Sequence, residues 1–280
     1  MVNSGVMVAL YVSIAICIAL PVVPFIVLQA KKQHIGRAFL FGVLAFTVSQ
    51  VVLRIPLLQL LYRTYWYSTV LALNPVLNGL FLGLTAGLFE EFARFFACKW
   101  FLKKKRRYVD AVAFGFGHGG IEAVLLTGLT LVNSIVMINA MNNGTLESLV
   151  GAQQAAAVSA QLSGVTPLLA LLGGAERILA VGIHFSLSVM VFAGFVRNKP
   201  WQYLIAAVLL HAVVDASVVI VPSYVKMSAL GLEAMVFVFT AALLVWALRA
   251  KHLFVPILAQ DGEAAGYIKE TDNTEEEKFQ

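Results

Sequence analysis

Seven long apolar runs separated by short polar stretches organise this chain, over roughly residues 6–29, 38–62, 77–101, 109–131, 172–196, 201–221 and 228–249. A helix rising ~1.5 Å per residue needs ~20 residues to cross a hydrocarbon core of ~30 Å, and these runs reach that length. They predict an all-α fold, a polytopic transmembrane helical bundle of about seven spans. Residues 1–252 are assigned to this domain and 253–280 to an acidic tail, expected to be disordered. The segment before the first run, Met1 to Gly5, lacks the positive charge of a secretory leader, so the first span is expected to remain as a membrane helix.

Composition agrees with lipid as the main solvent, because 60% of the 280 residues are hydrophobic and 12% are charged. The net charge of +5 could suggest a nucleic-acid partner, but the cations sit at span ends and report topology instead. One alternating set of loops holds Lys31, Lys32, Arg37, Lys103, Lys104, Lys105, Arg106, Arg107, Arg197, Lys199, Arg249 and Lys251, and the other holds Arg63 and Lys226. Excess Lys and Arg stays inside, which predicts an outside N-terminus and a cytoplasmic C-terminus. The loop over about 141–171, with an alanine-rich stretch, is expected outside with a short interfacial helix. Cys17 and Cys98 both fall inside spans and read as small core residues, without disulfide or zinc-site spacing.

Against this background the ionisable residues inside the spans stand out, since each costs at least ~2.5 kcal/mol at mid-bilayer and calls for a partner, a cavity or a function. They are Arg54 in the second span, Glu90, Glu91, Arg94 and Lys99 in the third, and His118 and Glu122 in the fourth. The fifth holds Glu176, Arg177 and His184, and the sixth His211 and Asp215. Counted from the basic end of each span, Glu90, His118, His184 and His211 lie ~15–20 Å deep, near the midplane. Four helices therefore bring acid and imidazole groups to one level, within 77–221. The i,i+4 pairs His118/Glu122, His184/Ser188 and His211/Asp215 predict that each imidazole has a polar neighbour on its own helix. Glu90 and Glu91 point about 100° apart, so one is expected to serve chemistry and the other an ion pair with an arginine. Arg54 and Lys99 are expected to snorkel, and Glu176 with Arg177 to form an electrostatic seam between helices.

A glutamate near histidines in a wet membrane cavity can act as a general base on water while a histidine donates to the developing oxyanion or the leaving amine, which is amide hydrolysis. Histidines with a carboxylate can equally form the first shell of catalytic zinc, although no His-Glu-x-x-His motif is present. No cofactor is otherwise indicated.

The motif Glu90-Glu91-Phe92-Ala93-Arg94 resembles the Glu-Glu-x-x-x-Arg motif of the CAAX protease and bacteriocin-processing superfamily of intramembrane glutamic proteases. Phe114-Gly115-Phe116-Gly117-His118 is similar to its Phe-x-x-x-His motif, and His211 to Asp215 resembles its His-x-x-x-Asn/Asp motif. Within that superfamily the chain most resembles the YhfC family of membrane peptidases, which also has a Glu-Arg followed by a histidine, here Glu176-Arg177 and His184. The resemblance implies an intramembrane endopeptidase with Glu90, Glu91, His118, His211 and Asp215 as catalytic residues. It implies support from Arg94, Glu122, Glu176, Arg177 and His184, a membrane-associated peptide or protein as substrate, and a place in a bacterial plasma membrane. Glu90 or Glu91 would activate water, His118 would assist, and His211 with Asp215 would complete an oxyanion or water-holding site. The residues alone leave open a non-catalytic scaffold or immunity protein and a proton-coupled transporter, both of which could use the same polar cavity.

Overall fold

The computed structural model describes residues 4–254. Seven helices long and apolar enough to span a bilayer appear where the hydrophobic runs predict them: α1 (Ser4–Ala30), α2 (Gly36–Leu61), α3 (Pro75–Phe101), α4 (Tyr108–Asn142), α7 (Pro167–Val196), α8 (Pro200–Tyr224) and α9 (Ala229–Phe254). Between α4 and α7 lie two short helices, α5 (Leu146–Val150) and α6 (Ala152–Ser163). The single interfacial helix expected there is thus a pair, divided at Gly151, whose φ of 83° is open to glycine and strained for other residues. No strand occurs among the described residues. The acidic tail lies outside them, apart from Leu253 and Phe254, which sit in the closing 3-10 turn of α9.

Helix ends follow local chemistry. Asn74 caps α3 by accepting the amides of Val76 and Leu77, with Pro75 at the first helical position. Thr166 and Pro167 start α7, and Ser228 caps α9. At the head of α4 the Asp110 carboxylate accepts the Arg107 amide at 3.0 Å and is gripped by the Arg107 guanidinium, which also donates to the Gln33 carbonyl. This arrangement ties the basic loop before α4 to the turn between α1 and α2.

At the centre stands α7, with 72% of its most apolar window buried, against 17–33% for the other spans. It packs on α1, α4, α8 and α9, while α3 packs mainly on α8 and α2 on α4. Lipid offers no hydrophobic drive for helices to associate, so close backbone approach matters, and small residues permit it. Gly79, Gly83 and Gly87 form a ridge on α3 against α8; a Cβ at Gly83 would stand 2.4 Å from the Ala212 carbonyl oxygen. Gly42 and Gly117 do the same between α2 and α4, with an added Cβ 2.2 Å from the Phe114 and Phe39 carbonyl oxygens respectively. The glycines flanking His118 are therefore packing residues that bring α4 against α1, α2 and α7.

Gly117→Val is expected to cost about 1–3 kcal/mol through forced separation of α2 and α4. A lowered unfolding midpoint in detergent would report it, and Gly173→Ala, at a position with open space, should leave the midpoint unchanged.

Candidate functional site

Four spans bring their polar residues together at one level. Glu90 of α3 stands in the middle, and its two carboxylate oxygens face different neighbours. Oε2 lies 2.9 Å from His118 Nε2 and 3.7 Å from His184 Nδ1. Oε1 accepts a 2.5 Å hydrogen bond from the Gln50 side-chain amide of α2 and lies 3.9 Å from His211 Nε2. The His118 and His184 ring centroids are 4.8 Å apart and those of His184 and His211 are 5.6 Å apart. Glu90 and the three histidines are all buried. The depth count along the sequence thus identifies residues that meet in space.

The partners of the imidazoles differ from those predicted within each helix. His118 does not use Glu122: its Nδ1 is buried and makes no hydrogen bond among the described residues, and Phe46 and Phe114 flank the ring. Glu122 instead lies 2.5 Å from His184 Nε2. Ser188 donates its hydroxyl to the His184 backbone carbonyl, not to the ring. His211 places Nδ1 2.8 Å from Glu91, while Asp215, one turn on, is 3.7 Å from Nε2, beyond hydrogen-bond reach. The i,i+4 rule assumes a helix that solves its own polarity; here glycine-lined packing brings neighbouring helices closer than the next turn.

An outer ring of charge holds these contacts. Glu91 pairs with Arg94 on the same helix, both fully buried, so Glu91 is the acid of the two that forms an ion pair. Arg94 also donates towards His184 Nδ1 at 3.4 Å. Arg177 bridges Glu122 at 2.9 Å and the neighbouring Glu176, so the predicted seam lies directly behind His184. Arg54 does not snorkel: it donates to Gln50 Oε1, to Thr85 and to the Leu82 carbonyl. Lys99 does sit at the exposed basic end, over the Phe95 ring.

Gln50 is the site residue that sequence reading missed. An amide in the middle of an apolar span, four residues before an arginine, was the available signal, but counting only ionisable groups passes over it. An apolar cavity of about 530 Å³ lies between α2 and α3, walled among others by Phe41, Val48, Leu53, Phe92 and Trp100, and by Ser49 and Phe89, the chain neighbours of Gln50 and Glu90.

Residues 16–240 match the family described as YhfC intramembrane metalloprotease. The chain belongs to the YhfC family. It is also 30% identical over 258 residues to a Bacillus subtilis (strain 168) protein, the uncharacterized membrane protein YhfC, covering 91% of this chain and all of that one. No solved structure matches the chain. That relative is a membrane protein by name, and the seven apolar helices make this chain a multi-pass one.

The metal implied by the YhfC family description can be tested against the residues present. Glu90, His118 and His184 each offer a ligand atom within 4.8 Å of the others, all buried. His184 has its outer nitrogen on Glu122 and turns Nδ1 inward, and His211 has its outer nitrogen on Glu91 and turns Nε2 inward. A carboxylate behind an imidazole fixes the tautomer and raises the basicity of the inner nitrogen, as in many metal sites. Charge points the same way. With neutral imidazoles, the five carboxylates Glu90, Glu91, Glu122, Glu176 and Asp215 face the three guanidiniums of Arg54, Arg94 and Arg177, leaving two negative charges for a divalent cation or for protons to offset. The donor set fits a metal such as zinc.

Replacing Arg94 leaves Glu91 as an unpaired buried carboxylate. Arg94→Met is therefore expected to destabilise the protein by roughly 3–5 kcal/mol, read from thermal unfolding in detergent. The double variant Glu91→Gln/Arg94→Met should recover a substantial part of that loss, and a purely additive result would contradict the pairing.

Proposed function

We propose that this protein is a metal-dependent intramembrane endopeptidase. The observation that carries the reading is the convergence of Glu90, His118 and His184 on one buried point, with Glu122 orienting His184 from behind. Those three residues would hold the ion. When bound, a zinc-type ion supplies Lewis acidity towards a peptide carbonyl and lowers the pKa of water.

The protein's own groups then have distinct tasks. His211, held at Nδ1 by Glu91, presents Nε2 to a gap bounded by Glu90 Oε1 and Asp215 Oδ2, at 3.9 and 3.7 Å. Separations of that size suit a water held between polar groups. In this reading His211 and Asp215 hold the attacking water and take its proton, then return it to the leaving amine. Asp215 is suited to exchange protons with the surroundings because its side chain is 43% exposed, while Glu91 is wholly buried. Phe46 and Phe114 exclude bulk water from the His118 side. The apolar cavity between α2 and α3, lined by Ser49 and Phe89 next to Gln50 and Glu90 in the chain, suits a substrate segment that arrives from the bilayer, with the basic loops on the cytoplasmic side.

A second reading rests on the 2.9 Å contact between Glu90 and His118, in which Glu90 itself is the base on water and His118 the donor, without metal. The two are separated by purifying the protein in detergent, measuring bound metal and assaying a library of membrane-proximal peptides before and after chelation. The metal-dependent reading expects about one divalent ion per chain, cleavage lost on chelation, and recovery with added zinc. Glu90→Gln, His118→Ala and His184→Ala should each reduce metal affinity and cleavage by ~100-fold or more, the upper end of what outer partners alone contribute. Cleavage that survives chelation but falls in Glu90→Gln would favour the glutamate base. Failure of any peptide to be cut, with proton flux in liposomes or with none, would turn the reading to a transporter or to a scaffold respectively.

A further inference from the structure

Gln50 and Arg54 belong to no motif that the proposed chemistry uses, yet Gln50 contacts its central carboxylate and Arg54 holds Gln50. Both lie in Thr47–Arg54, a stretch of α2 wound as a π-helix. Single widened turns of this kind often mark functional sites, because the extra residue per turn shifts which side chains face inward. Here Ser49 and Gln50 are both buried, while Val48 and the three residues after Gln50 are exposed.

The hydrogen-bond directions in this segment are determined by chemistry. An arginine has no acceptor, so the Gln50 oxygen must be the atom facing Arg54 Nη1 at 3.1 Å. The amide nitrogen must then face Glu90, and it donates to Oε1 at 2.5 Å. Arg54 is itself anchored on α3, through Nη2 to the Leu82 carbonyl at 2.7 Å and Nε to Thr85 at 3.2 Å. The chain of contacts leaves α3 at Leu82 and Thr85, crosses to α2 through Arg54 and Gln50, and returns to α3 at Glu90. It closes a loop between the two helices around one carboxylate oxygen.

We infer that Gln50, oriented by Arg54, is a positioning residue that occupies Oε1 of Glu90 and so turns Oε2 alone towards His118 and His184. The inference rests on the metal-dependent reading and adds to it the way in which Glu90 would serve as a one-oxygen ligand. A carboxylate free at both oxygens could rotate or chelate through both; one held by an amide at Oε1 presents a single, aimed lone pair.

The test is a metal-affinity measurement on full-length protein in detergent, by competition with a chromophoric chelator for zinc and by the visible absorption of bound cobalt(II). Gln50→Met keeps the length of the side chain and removes the donor. It is expected to weaken zinc binding by ~10–100-fold and to alter the cobalt spectrum. Arg54→Met, which frees the amide to turn over, should weaken binding by a smaller factor. Val52→Ala, an exposed neighbour in the same stretch that does not line the cavity, should leave both readings at the wild-type value. Should Gln50→Met not fold, Gln50→Asn retracts the amide by one methylene and reads the same quantity. Zinc affinity within twofold of wild type together with an unchanged cobalt spectrum would overturn the inference, as would an equal loss in Val52→Ala. Wild-type protein that binds neither metal would instead overturn the metal-dependent reading, and this inference with it.

Discussion

A carboxylate that cannot reach bulk water must find its compensation among its neighbours, and this constraint shapes the middle of the bundle. Glu90 and Glu91 are consecutive on α3 and both buried, so they project to different sides and need different solutions. Glu91 takes Arg94 and His211; Glu90 takes Gln50 and His118. Each solution draws in another helix: α8 through His211, α4 through His118 and α2 through Gln50. Their crossing points are where the polar groups meet, and the glycine ridges on α3 and α4 allow those groups to meet at hydrogen-bond distance.

The same constraint explains why the polar cluster has layers. Glu122 could not stand alone behind His184, and Arg177 neutralises it while also holding Glu176, which is partly exposed. Charge thus passes outward in alternating sign from His184 to the less buried Glu176. Along the other side, Arg54 crosses between α2 and α3 and is satisfied mainly by neutral acceptors. Arginines thus flank the cluster on two sides, while at its centre Glu90 faces three imidazoles and no guanidinium pairs with it directly. An arrangement with salt bridges at the rim and unmatched donor atoms in the middle is suited to hold a cation or to move protons, and poorly suited to serve only as glue between helices.

Much of this was legible in the sequence because lipid imposes simple rules. Span length and hydropathy locate all seven crossing helices, and counting residues from the basic ends brings Glu90, His118, His184 and His211 to one depth. Which atoms pair was not legible. The i,i+4 rule assigns Glu122 to His118 and Asp215 to His211, whereas the folded chain gives Glu122 to His184 and Glu91 to His211. The difference follows from interhelical distance, which depends on glycines whose partners lie more than 60 residues away in sequence and which no local pattern reveals. Gln50 went unmarked because only ionisable groups were counted, although an amide in mid-span also needs a hydrogen-bond partner.

The orientation of the two outer histidine nitrogens bears most directly on chemistry. A neutral imidazole has one donor and one acceptor nitrogen, and a carboxylate can only receive the donor. In the neutral rings, Glu122 beside Nε2 of His184 and Glu91 on Nδ1 of His211 favour the tautomers whose opposite nitrogen carries its lone pair inward. Two acceptors of this kind, directed at the same space as a carboxylate, repel one another unless something positive lies between them. Arg94 meets part of that need at His184 from 3.4 Å, but it is committed to Glu91. The inward face of the cluster is left rich in acceptors on three helices at once, and a metal ion or a transferable proton is the partner that such a face is built to receive.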